Sequence, residues 1–181
     1  MEKKYRLLED DAIIVDGRTL YRIEALRDFA DVNIGDKGGY IESGINLSHE
    51  GNCWVSGSAC VYGNAWVFGN AWVSGDACVY GNARVCDNAC VYDNARVRDK
   101  AWVFGNARVH GDAWVSGSAC VYGNDASVYG NARVYGDACV YDNACVYGDA
   151  CVYGNAYVFG NACILGNAQI SDGMITNVRQ K

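Results

Sequence analysis

The chain has 181 residues, a formal net charge of −6, ten cysteines and no proline. That length suits one domain with a small appendage and is ample to bury a core. The acidic excess is diffuse, about −3 over residues 1–46 and about −3 over the rest, which excludes a nucleic-acid groove, because phosphates are neutralised by clustered Lys and Arg.

From the N-terminus, MEKKYRLLEDD lacks the apolar stretch of a signal peptide, and no later run approaches the roughly 18 residues of a membrane span. A cytoplasmic protein without a membrane partner is expected, and with it reduced thiols in place of a disulfide framework. IIVDGRTLYRI reads as a β-hairpin turned at Asp16-Gly17, and ALRDF either extends it or begins a short helix. Residues 1–46 are taken as a cap that shields an open sheet edge from other chains.

From about residue 55 a six-residue period governs the chain, as in VYGNAW, VFGNAW, VSGDAC and VYGNAR, and about nineteen hexads follow one another to ILGNAQ at 164–169. In each, A-x-V-x has the two-residue alternation of a strand with one buried face. The following Gly-Asn, Gly-Asp or Asp-Asn tolerates positive φ and turns the chain. Such short strands hide their Val and Ala only by stacking in successive coils at about 4.8 Å. The absence of proline agrees, since the stacked coils must offer their N–H groups. VYGNDASV holds one residue too many, Asp125; a corner bulge is expected there, the alternative being a slip of register that turns Val128 outward. Residues 47–170 form the repeat domain, and 171–181, which break the pattern, a C-terminal cap or tail.

The aliphatic-x-x-x-small-x pattern, with Val61, Val67 and Val73 as aliphatic and Ala65, Ala71 and Ala77 as small residues, resembles the hexapeptide-repeat family. The resemblance implies an all-β fold, a left-handed parallel β-helix of triangular section with three strands per coil. On that basis the repeats make about six coils, and residues eighteen apart stack in columns, with one extra across Asp125. The N-terminal GRTLYRIEALRDF, GDKGGYIES and NLSHEGNCWV resemble the opening of hexapeptide-repeat proteins from phage and prophage genomes, some labelled acyltransferases.

Two outward columns are poor in charge: Phe68, Cys86, Phe104, Tyr122, Tyr141 and Phe159, and beside them Trp72, Cys90, Arg108, Ser127, Cys145 and Cys163, of which only Arg108 is charged. A flat apolar surface of that extent marks a self-association interface and hence a homo-oligomer, the alternative being aromatic ladders that only stabilise the solenoid. Trp66, Arg84 and Trp102 alternate up another column, and Arg96, Trp114 and Arg133 up a third, cation–π stacks able to hold a nucleotide base. Cys60 with Cys78, Cys120 with Cys139, and Cys145 with Cys163 fall in adjacent coils, near enough to bridge.

Kinship supplies the enzyme alternative. Hexapeptide-repeat acyltransferases use a histidine as general base beside acyl-CoA, and His110, outward between Tyr92 and Tyr129, is the one residue that position suggests here; His49 lies in the cap junction. No orienting partner, pocket or long loop accompanies His110 in the sequence. No CxxC occurs, and two histidines do not make the three-histidine site of the γ-type carbonic anhydrases. Thr19 and Thr176 alone cannot form an ice-binding threonine ladder. The reading that remains is a non-enzymatic binding or structural module with no cofactor, whose partner is a second copy, a protein of the host if the chain is phage-encoded, or a nucleotide.

Overall fold

The computed structural model describes residues 3–176 and the backbone of 179–180. The chain begins with a hairpin, β1 (Tyr5–Val15) against β2 (Arg18–Ala25). Both turn residues have positive φ, Asp16 at 50° and Gly17 at 75°, the mirror-image turn whose twist suits an antiparallel pair. β1 carries a bulge: Leu8 pairs with Arg22 and Ala12 with Tyr21, so Glu9, Asp10 and Asp11 have no partners across the ladder. Asp11 meets Arg22 at 3.0 Å and Lys37 at 3.6 Å.

ALRDF neither extends β2 beyond Ala25 nor forms a helix. The segment bends, and a bridge between Phe29 and Val32 seals the bend. Burying Phe29 edge-on to Trp54, at 5.3 Å between ring centres, outweighs helix propensity over five residues. β3 (Lys37–Ile41) then pairs antiparallel with β2 and parallel with the strand Cys60–Val61. This strand joins the hairpin to the repeats.

The repeats build a parallel β-solenoid with three sheets. One stacks the strands at Trp66, Arg84, Trp102, Cys120, Cys139, Tyr157 and Met174; the second runs from Trp54 through Trp72, Cys90, Arg108, Ser127, Cys145 and Cys163; the third continues from β3 through Cys60, Cys78, Arg96, Trp114, Arg133, Cys151 and Gln169. We call these faces I, II and III. They make about eight turns, where six are expected from the hexads. The additional turns come from chain that departs from the repeat pattern, with Tyr40–Ile41, Leu47 and Trp54 at one end and Met174 and Arg179 at the other.

Inside, the Val and Ala of the hexads from Ala59 to Ala162 are fully buried. Ladder bonds such as Trp66 N–H to Ala83 O at 3.0 Å and Phe68 N–H to Val85 O at 3.1 Å join coil to coil. Asp125 is absorbed at a corner: Arg108 stays opposite Ser127, Val109 opposite Val128, and Val128 remains buried.

Four corners place Asp where the others have Gly, at φ of 58–62° for Asp87, Asp93, Asp99 and Asp142. A Cβ at a corner crowds the corner above; on Gly75 it would lie 2.9 Å from the Asp93 nitrogen. Each Asp turns that proximity into a bond, its carboxylate accepting from the N–H of Gly105, Gly111, Gly117 or Gly160 one coil on, at 3.1–3.3 Å.

At the N-terminal end the cap accounts for the first coil's outward carbonyls one after another. Tyr40 N–H donates to Ala59 O, Glu42 N–H to Val61 O, and Ser48 N–H to Val67 O. Between them the buried Asn46 donates both amide hydrogens, to Gly63 O at 3.0 Å and Ala65 O at 2.9 Å. The fully buried Lys4 ammonium donates to Cys53 O at 2.7 Å and Gly51 O at 3.3 Å. An end coil left in an apolar setting with unpaired carbonyls would lose about 1–3 kcal/mol per group.

Candidate functional site

Side chains that flank the same Val point the same way, because a strand alternates every residue. Trp66 and Phe68 therefore share face I, and their rings lie 4.1 Å apart. Trp102 and Phe104 repeat the arrangement at 4.9 Å, and Phe104, Tyr122, Tyr141 and Phe159 stack at 4.6–5.1 Å with their planes nearly parallel. Cys86 is buried in this ladder and accepts from the Trp102 indole N–H at 3.4 Å. Trp66, Trp102 and Tyr157 remain open to solvent at 42%, 38% and 39%. The one charged side chain among the outward residues of these six tiers is Arg84, whose guanidinium lies 5.8 Å from the Trp102 ring.

The two columns expected to form one apolar surface are thereby divided. Phe68 and its successors lie on face I, while Trp72, Cys90, Arg108, Ser127, Cys145 and Cys163 follow the corner and belong to face II. The column beside Phe68 is instead Trp66, Arg84, Trp102, Cys120, Cys139 and Tyr157. The pairing was readable from the alternation around each Val, since a Gly-Asn corner separates Phe68 from Trp72.

Face II holds His110. Its ring is a rung between Tyr92 at 4.7 Å and Tyr129 at 5.0 Å, and its Nδ1 lies 3.7 Å from Asp93. Burial lowers its pKa against the pull of Asp93, so the ring is neutral near pH 7. Both ring faces are covered, leaving no room for a substrate against them. His49, stacked on Tyr5 at 4.3 Å, accepts from the Lys4 backbone N–H at 3.2 Å and serves the cap. Also on face II, the Cys145 and Cys163 sulfurs are 3.3 Å apart as thiols sharing a hydrogen.

Face III brings Arg96, Trp114 and Arg133 into register as expected. It adds Arg98, Ser116 and Tyr135, which the alternating column did not reveal. Arg96 and Arg98 lie 5.1 and 5.2 Å from the Trp114 ring. A cleft of about 640 Å³ opens between the hairpin tip and the corners at Gly63 and Gly81. Its charged groups all have partners: Arg18 pairs with Glu42 at 2.8 Å, Asp16 accepts from the Tyr62 hydroxyl at 2.8 Å, and Glu42 also accepts from the Gly63 N–H at 2.6 Å. Among the described residues no group of three or more His, Cys, Asp or Glu gathers as a metal site.

Two stretches, residues 59–75 and 126–142, match the family model of the YdcK beta solenoid repeat. Each is about one coil, so the similarity concerns the repeat. No curated protein matches the chain.

Proposed function

We propose that this chain is a non-catalytic structural module that associates with a second copy of itself through face I. The observation that carries the reading is the exposure of Trp66, Trp102 and Tyr157 beside a stacked aromatic ladder in which Arg84 is the single charge among the outward strand residues, with Lys100 at the adjoining corner. Stacking covers the faces of the ladder rings and leaves these three side chains wet, so the ladder alone does not account for them. Six tiers at strand spacing give a face about 30 Å long and about 13 Å wide, roughly 400 Å² a side. That is about half of a standard interface, and the dimer is expected in the micromolar range. The contacts of His110, stacked between Tyr92 and Tyr129, are those of a ladder rung.

Light scattering behind size exclusion tests the proposal on the full chain. Wild type is expected to shift from monomer to dimer as concentration rises through the micromolar range. Trp66→Glu with Tyr157→Glu should hold it monomeric with an unchanged circular dichroism spectrum, the loss corresponding to at least about 2 kcal/mol for two exposed aromatic anchors. A wild type that stays monomeric at about 100 µM, well above such a dissociation constant, or a double variant that dimerises as before, overturns it.

A further inference from the structure

On face III the outward column beside the Val residues reads Tyr62, Tyr80, Arg98, Ser116, Tyr135, Tyr153. Tyr62 stacks on Tyr80 at 5.0 Å and Tyr135 on Tyr153 at 5.1 Å. Between these pairs the ladder is broken by Ser116, too small to make a rung. A cleft of about 340 Å³, lined by Arg98, Trp114, Ser116, Arg133 and Tyr135, opens at the break. Ligand pockets start at roughly this size.

The charge around the cleft is out of character with the molecule. In a chain of net −6, Arg96 and Arg98 of one coil bring their guanidiniums to 5.1 and 5.2 Å from the Trp114 ring of the next, and Arg133, in register with Trp114 one coil further on, lines the same cleft. Like charges so placed repel one another unless an anion lies among them. Among the described residues the only carboxylate within 4 Å of any of the three guanidiniums is Asp99, 3.9 Å from Arg98 Nε. That carboxylate is committed to the Gly117 N–H at 3.1 Å. Arg98 Nε itself is buried and donates to nothing, and a buried donor without an acceptor is costly. Of the other arginines, Arg6 pairs with Glu24, Arg18 with Glu42, Arg22 with Asp11 and Arg108 with Asp125, while Arg27 and Arg84 lie singly against aromatic rings.

We propose that this cleft binds a phosphate group, held by Arg98 and Arg133 across Ser116, with Trp114 and Tyr135 as its apolar walls. Guanidinium forks match phosphate oxygens in pairs, and a phosphate offers more acceptor oxygens than a carboxylate to converging forks. The phosphate can be free or carried by a nucleotide, whose base then rests on Trp114 or Tyr135.

Isothermal titration of the full chain with inorganic phosphate and with adenosine monophosphate tests the site. Both probes are expected to bind, and Arg98→Met and Arg133→Met should each weaken binding about tenfold or more, the scale of a charge-assisted bond. Arg84→Met on face I should leave it unchanged. Monophosphate binding about tenfold tighter than phosphate, and reduced to the phosphate level by Trp114→Leu, identifies a nucleotide; equal affinities identify phosphate alone. Arg133 is exposed, so Arg133→Met decides the matter should Arg98→Met fail to fold. No heat from either probe up to about 10 mM, beyond the weakest specific affinities, overturns the proposal, as does binding that survives Arg133→Met unaltered.

Discussion

A corner of this solenoid admits two residues for different reasons. Glycine avoids a Cβ that would press on the coil above, whereas aspartate keeps the Cβ and spends its carboxylate on the N–H it crowds, as Asp99 does with Gly117 at 3.1 Å. Alanine has the crowding without the bond. Asp99→Ala is therefore expected to lower stability by about 1–2 kcal/mol, the cost of a left-handed residue with no compensating contact, while Asp99→Gly costs less; denaturant titration of the two variants checks the order. The inward residues obey a plainer limit. Ala113 is fully buried, and Ala113→Leu should destabilise by about 1–3 kcal/mol through overpacking, read by the same titration. These inward and corner roles are legible in the sequence because A-x-V and the Gly or Asp that follows repeat every six residues. The break at Ser116 is not, because a single serine in an outward column gains meaning only from the side chains one coil above and below it.

The cap is the element whose chemistry the sequence conceals. The hairpin turn at Asp16-Gly17 is local and readable, but Lys4 meets Cys53 and Asn46 meets Ala65 across 49 and 19 residues, and nothing in a charged or amide residue near a terminus announces buried carbonyl partners. Asn46→Leu should cost about 2–4 kcal/mol, since two carbonyls of the end coil, Gly63 O and Ala65 O, lose their donor at once. Its effect should fall on the N-terminal coils, and hydrogen exchange at residues 40–67 is expected to quicken before exchange near Val146 does. β1 presents the outer edge of the third sheet, and its bulge carries Glu9 and Asp10 without ladder partners. Charge and bulge together discourage another chain from pairing there. Replacing both by Val should promote aggregation, measurable by light scattering during refolding.

At the scale of the whole molecule, thiols on faces I and II titrate against the fold. The folded chain holds the Cys139 and Cys145 protons up to about 11, through burial and, after it, the neighbouring thiols Cys120 and Cys163. The unfolded chain releases them near 9. The folded state then binds more protons across that interval, so their contribution is complete below pH 9 and is lost as pH rises through 11. Thermal melts should show the midpoint falling over this window, and Cys139→Ala with Cys145→Ala should flatten the slope. The sixfold period against a threefold coil has its own outcome. Every side of the prism offers the interior the same Val and Ala, so removing any six residues from the middle leaves a chain that still closes. What changes is bearing: each column beyond the cut is carried round by a third of a turn, and Phe104 no longer finds Tyr122 overhead. Removing eighteen would shorten the prism by one storey and leave its compass intact.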